Sequence, residues 1–81
     1  MITEREKQFR ELFAANLKDL RMQRGLTQKQ LGLLCGWTEA SAERTIQRIE
    51  YAQGLPGLVY VRELADALKC KTDDLIPKMP K

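Results

Sequence analysis

The sequence has no histidine, only one serine and only two cysteines in 81 residues. Most catalytic nucleophile–base pairs and most transition-metal sites are built from these residue types. Cys35 and Cys70 are far apart, and neither has a second cysteine at C-x-x-C spacing, so both are interpreted as buried free thiols. We therefore expect no enzyme activity, no metal site and no cofactor.

Long apolar runs are also missing from the sequence. No stretch approaches the length of a membrane span, and the first residues, "MITEREKQFR", lack the apolar segment of a signal peptide. We therefore expect a cytoplasmic protein that does not associate with membranes. The net charge of +3 permits binding to nucleic acid but does not require it.

No alternating strand pattern, repeat or low-complexity segment is present. Apolar residues instead recur at three- and four-residue spacing, which predicts an all-α fold of five helices. The first helix is predicted to begin after Thr3, which would form a capping box with Glu6, and to end before Gly25. Its apolar stripe consists of Phe9, Phe13, Leu17 and Leu20.

The second helix is predicted to begin after Thr27, which would form another capping box with Gln30. The fourth helix is expected at about 58–69 and a short fifth helix at about 73–76. Helices one, four and five would enclose the core, with helices two and three packed against it. The inward-facing residues of helices two and four are predicted to be Leu31, Leu34, Cys35, Leu58, Val61, Leu64, Ala65 and Leu68.

The third helix is predicted to contain residues 43–52, but its first residue is left open. Both Thr38 and Ser41 are good N-cap residues. A start after Thr38 would add about one helical turn, and Ala40 and Ser41 would then lie closer to any molecule that binds this helix. A cap at Ser41 would leave the preceding residues as a loop.

Four phrases of this sequence match those of a known family in the same order. They are "LKDLRMQRGLTQKQLG" (17–32), "TIQRIE" (45–50), "LPGL" (55–58) and "LADALKCKTDDLI" (64–76). Residues 17–76 therefore resemble the lambda-repressor-like helix-turn-helix domain, also called the Cro/repressor type or XRE family. The resemblance implies a compact five-helix DNA-binding domain over residues 13–76, an extension of the first helix over 1–12 and a flexible tail over 77–81.

The resemblance also implies sequence-specific binding to double-stranded DNA, usually as a two-fold dimer, in transcriptional regulation. The second helix would lie across the DNA backbone, and its expected phosphate contacts are Thr27, Gln28 and Lys29. Helix capping is an equally good account of Thr27 and Gln28, and one residue can do both.

The start of the third helix would enter the major groove. Arg44 and Arg48 are one turn apart, so each could fork onto a guanine. The alternative is that the polar residues here are only the solvated side of an amphipathic helix. The base-reading residues that the resemblance implies are Glu43, Arg44, Thr45, Gln47 and Arg48.

Arg21 and Glu50 match a pair that forms a partly buried salt bridge in similar proteins. The resemblance implies that this pair is structural. Loss of one partner would strand the charge of the other, which costs more than the loss of an exposed pair.

The segment before the third helix departs from the family pattern. It has about four residues more than similar proteins, close to one helical turn. Between Trp37 and Ala52 there are three glutamates and two arginines, so we expect modest affinity for DNA phosphates. Trp37 is interpreted as a plug over the core or, alternatively, as a contact for a partner.

The N-terminal extension is a second departure, because Phe9 and Leu12 add apolar surface beyond what the family core needs. The extension is expected either to lengthen the first helix and help dimerisation or to fold back as extra core.

The leading interpretation is a DNA-binding transcriptional regulator that binds a palindromic operator as a homodimer. It would be a phage or prophage repressor, a Cro-like switch protein or a bacterial regulator of its own operon. The alternative is an antitoxin-like module that neutralises a toxin and represses its own operon. That protein partner would bind the N-terminal extension or the tail "PKMPK".

Overall fold

The computed structural model describes residues 3–78, and all regular structure in this part of the chain is helical. The prediction of an all-α, five-helix fold is confirmed. Within residues 3–78, no helix is both long and apolar enough to cross a membrane. The last three residues of the predicted tail lie outside the described residues. The helices are α1 (Glu4–Gln23), α2 (Gln28–Leu34), α3 (Glu39–Glu50), α4 (Leu58–Leu68) and α5 (Thr72–Leu75).

α1 is one unbroken helix of 20 residues, which corresponds to a length of about 30 Å. The hydroxyl of Thr3 accepts a hydrogen bond from the backbone N–H of Glu6 at 3.1 Å, which is one half of the predicted capping box. The described part of the N-terminal extension continues this helix and does not fold back. Phe13 and Leu17 are buried, and Phe9 packs against the core while remaining partly exposed.

α2 begins at the predicted capping box. The Thr27 hydroxyl accepts the Gln30 N–H at 3.0 Å, and the Gln30 side-chain oxygen accepts the Thr27 N–H at 2.8 Å. Leu31 and Cys35 are buried as predicted. Leu34 is 59 % exposed, however, so the prediction that it faces inward is wrong.

The buried face of α2 is rotated away from Leu34 because α3 packs against Gly32. From Leu31, Leu34 lies about 60° to one side of the helix and Gly32 about 100° to the other. Gly32 is buried, and a Cβ atom added to it would lie only 2.6 Å from the Cβ of Ala42. The glycine therefore allows α2 and α3 to approach closely at the start of α3.

α3 begins at Glu39 and has Thr38 as its N-cap, which decides between the two starts that the sequence left open. The Thr38 carbonyl accepts the backbone N–H of Ala42 at 2.8 Å and so closes the first turn. Ser41 lies inside this turn, where its hydroxyl is 2.9 Å from that of Thr38. The extra residues are therefore helical.

The first turn of α4 is largely exposed. Val61, Leu64, Ala65 and Leu68 are buried as predicted, but Leu58 is 86 % exposed and its predicted burial is wrong. Its spacing from Val61 places it on the same stripe. The neighbouring Val59 is 71 % exposed, so the described part of the chain leaves the first turn of α4 largely uncovered.

The two cysteines are free thiols, as interpreted, although only Cys35 is fully buried. Burial raises the pKa of the Cys35 thiol to about 12, and the charge of Glu63 acts in the same direction. Partial burial also raises the pKa of Cys70. Both thiols therefore remain protonated at neutral pH.

A charged pair joins α1 to α3. The Arg21 Nε donates to Glu50 Oε2 at 2.6 Å, and a second guanidinium nitrogen donates to Glu50 Oε1 at 3.1 Å. The third nitrogen donates to the Leu26 carbonyl at 2.8 Å. The side chains of Arg21 and Glu50 are only 13 % and 4 % exposed, so this pair fixes the end of α3 against α1.

We expect Gly32→Ala to destabilise the fold by about 1–3 kcal/mol, because the new methyl group must push α3 away from α2. Urea unfolding followed by circular dichroism measures the change. Gly54→Ala is the matched control, since a Cβ atom there meets nothing within 4 Å. Equal losses in the two variants would contradict the close approach at Gly32.

We expect Arg21→Ala to lower the free energy of unfolding by about 3 kcal/mol, because it leaves the buried Glu50 carboxylate without its cation. Arg62→Ala, at an exposed position of α4, should change it by less than about 0.5 kcal/mol. The same urea titration compares the two variants. A loss for Arg21→Ala no larger than that for Arg62→Ala would show that the pair is not structural.

Candidate nucleic-acid interface

The solvent-facing strip of α3 lies opposite its buried side, which consists of Ala42, Ile46 and Ile49. With about 100° between successive residues, Arg44 points almost directly away from that buried side and Arg48 about 50° to one side. Both arginines are exposed. α3 has 12 residues, and a helix of about 18 Å with this outline can lie in the major groove of B-DNA.

The predicted base-reading residues divide between two grooves on either side of this strip. Arg44 borders the first groove and Arg48 borders the second. Both arginines therefore lie on the part of α3 that separates the two grooves. The first, here called the polar groove, is lined by Lys29, Glu39, Ala40, Glu43, Arg44 and Gln47. The second, here called the loop groove, is lined by Thr45, Arg48, Ile49, Tyr60 and the loop residues 54–57.

Two of the predicted phosphate contacts are engaged in intramolecular hydrogen bonds. Thr27 caps α2 through its hydroxyl, and the side-chain amide of Gln28 donates to Glu50 Oε1 at 3.2 Å. Gln28 thereby joins the start of α2 to the same carboxylate that holds Arg21. The Thr27 hydroxyl accepts the Gln30 N–H, but the backbone N–H groups of Gln28 and Lys29 have no partner within the helix and remain suited to an anion.

Lys29, the third predicted phosphate contact, forms an ion pair with α3. Its Nζ lies 2.9 Å from Oε1 of Glu39, the first residue of that helix, and both side chains are exposed. The hydrogen bond and charge of Glu39 raise the pKa of the Lys29 ammonium, and Glu43 adds a smaller attraction. In return Lys29 lowers the pKa of the Glu39 carboxyl.

The two ion pairs change the charge that the interface presents. Arg21 binds Glu50, and Lys29 binds Glu39. Among the three glutamates of this segment, only Glu43 has no ion-pair partner in the described part of the chain. The exposed strip of α3 is therefore slightly positive, through its two arginines.

Trp37 lies in the turn between α2 and α3, where it packs against the core and is partly buried. Its ring is 5.0 Å from that of Tyr60 and inclined to it by 42°. This contact fixes the turn against the start of α4, which favours the interpretation of Trp37 as a plug.

Two exposed residues of this surface were not among the predicted contacts. Glu39 was missed because its position depends on where α3 begins, and the available signal was the N-cap preference of Thr38. Tyr51 follows the last turn of α3 and is 68 % exposed. It lies two turns after Arg44 on the same strip, a spacing that the sequence already contained.

Comparison with known proteins gives one family. A family model described as helix-turn-helix matches residues 17–75, from the last third of α1 to the end of α5. No curated protein sequence matches the chain. The family match covers more than half of the sequence and includes both grooves. The chain therefore belongs to the XRE-type, lambda-repressor-like family of helix-turn-helix proteins and is a DNA-binding transcriptional regulator of that type.

Proposed function

We propose that this protein is a repressor that binds a palindromic operator as a homodimer, of phage or prophage type or acting on its own operon. The observation that carries the proposal is the exposed strip of α3. It presents Arg44 opposite the buried residues of the helix and Arg48 one turn later, about 50° to one side. A helix that packs on the core through its buried side and has two arginines on its exposed side is suited to binding in the major groove of DNA.

In the proposed complex, each arginine donates two hydrogen bonds to O6 and N7 of a guanine. Gln47 lies in the polar groove beside Arg44 and suits an adenine, and Glu43 suits the amino group of a cytosine. Thr45 lines the loop groove with Arg48, where it suits a phosphate or a thymine methyl group.

The proposed contacts to the DNA backbone come from the start of α2. The backbone N–H groups of Gln28 and Lys29, beside the Thr27 cap, and the ammonium group of Lys29 would bind phosphates on one side of the groove. The loop 53–57 adds no lysine or arginine. Few phosphates are therefore neutralised by one protomer, which supports the use of two protomers on one operator.

The exposed first turn of α4 supports the proposed dimer. Leu58 and Val59 are 86 % and 71 % exposed and adjacent, and Leu55 in the preceding loop is 44 % exposed. Apolar side chains grouped in this way are typical of protein contact surfaces. We place the two-fold contact here, and the N-terminal extension, with Leu12 exposed, is the competing surface.

The same apolar surface also favours the second candidate function, an antitoxin-like module, because a toxin could cover it instead of a second copy. The residues 79–81 of the suggested "PKMPK" partner segment lie outside the described residues. Co-purification with a stoichiometric small protein would favour this alternative, and a homodimer that binds DNA unaided would favour the repressor.

Selection of bound duplexes from a randomised library, followed by sequencing, tests the proposed function. We expect a two-fold-symmetric motif with half-sites about one helical turn of DNA apart. An enriched but asymmetric motif would contradict the dimer. The absence of enrichment by the folded protein would contradict operator binding itself.

On the selected site, Arg44→Ala or Arg48→Ala should cost about 1–3 kcal/mol of binding free energy and relax the preference at one base pair. Lys29→Ala should instead weaken binding to every sequence alike and reduce the slope of log K against log salt, by less than about 1 because Lys29 is paired with Glu39. Fluorescence anisotropy on matched and mutated duplexes measures both effects. Arginine variants that bind as tightly as the wild type would refute the proposed placement of α3.

Leu58→Asp should convert the dimer to a monomer, because it places a charge at the centre of the proposed contact. Light scattering gives the mass. Deletion of residues 2–10 is the comparison: we expect the dimer to survive it, whereas loss of the dimer only on deletion would transfer the contact to the extension. Circular dichroism of both variants checks that they are folded.

A further inference from the structure

The ion pair between Lys29 and Glu39 has little structural purpose. The two side chains are 46 % and 75 % exposed, and exposed pairs contribute little to the stability of a fold. α2 and α3 are already held together by the close contact of Gly32 with Ala42 and by Glu50. We therefore consider how the ion pair affects the binding of other anions to Lys29.

A phosphate and the Glu39 carboxylate are alternative partners for one ammonium group. The Nζ of Lys29 is 2.9 Å from Oε1 of Glu39, so the carboxylate already occupies one of the directions in which the ammonium can donate. Glu43 lines the same polar groove and adds negative charge. An incoming phosphate therefore meets a neutralised lysine and two carboxylates.

The position of Glu39 follows from the early start of α3. As the first residue of the helix, it lies at the positive end of the helix dipole, which favours a carboxylate there. The same turn places it opposite Lys29, on the neighbouring helix, across the polar groove. A loop at 37–41 would have no such fixed direction.

We propose that Glu39 is an intramolecular competitor for the DNA phosphate that Lys29 would bind, and that it weakens binding to DNA of any sequence. The inference rests on the proposed function and deepens it. Binding to non-specific DNA depends almost entirely on phosphate contacts, so it loses most from a masked lysine. Glu39 thus lowers the affinity of the protein for non-specific DNA.

The test uses a random-sequence duplex, fluorescence anisotropy and a series of salt concentrations. Glu39→Gln keeps the shape of the side chain and frees Lys29. We expect it to bind about two- to fivefold more tightly than the wild type. The slope of log K against log salt should become steeper, by less than about 1, because the freed lysine then displaces a counterion more fully.

Two further variants separate competition from a simple change of net charge. Asp73→Asn makes the same charge change at an exposed position of α5, which packs against α1 and α4. It should give a smaller gain than Glu39→Gln. In a Lys29→Ala background, Glu39→Gln should gain no more than Asp73→Asn does, since no lysine remains to be freed.

The inference is overturned if Glu39→Gln gains no more than Asp73→Asn, or if its full gain persists without Lys29. These results would leave the proposed function intact, because the wild type would still bind the duplex. A folded wild type that binds no duplex at any salt concentration would overturn the proposed function and this inference together.

Discussion

The placement of α3 depends on the carboxylate of Glu50, which holds one residue from each of the first two helices. It accepts hydrogen bonds from Arg21 on α1 and from Gln28 on α2. A carboxylate that is only 4 % exposed is costly to bury, and these bonds offset that cost. Since both partners meet at the last residue of α3, a slide or rotation of the helix would break them together.

The start of α3 is held by a constraint of a different kind. Gly32 has no side chain, so Ala42 can pack against the backbone of α2. The polar contact at one end and the steric contact at the other fix both the position and the rotation of α3. These contacts therefore determine which residues form the solvent-facing strip of α3, and Arg44 lies in the middle of that strip. A helix that recognises bases needs this rigidity, because hydrogen bonds to base edges tolerate little displacement.

Spacing and capping predicted most of the fold, because they depend on residues close together in sequence. The box at Thr27 and the stripe through Phe13 and Leu17 are examples. Leu34 and Leu58 were assigned to the core wrongly, since spacing gives a stripe but not which part of it a neighbouring helix covers. The start of α3 could not be chosen because Thr38 and Ser41 are both good N-cap residues. The ion pair of Lys29 depended on that choice.

The extra residues before α3 therefore have an electrostatic consequence as well as a geometric one. They lengthen the helix by one turn while Ile46, Ile49 and Glu50 keep their places in the core and in the ion pair. The added turn has to project along the axis, past Gly32 and towards the start of α2. There it brings an acid beside the lysine that the proposed complex needs for a phosphate. The same added turn thus makes α3 longer and weakens the proposed contacts to DNA phosphates. In the proposed complex, recognition therefore depends more on contacts to bases and less on contacts to phosphates.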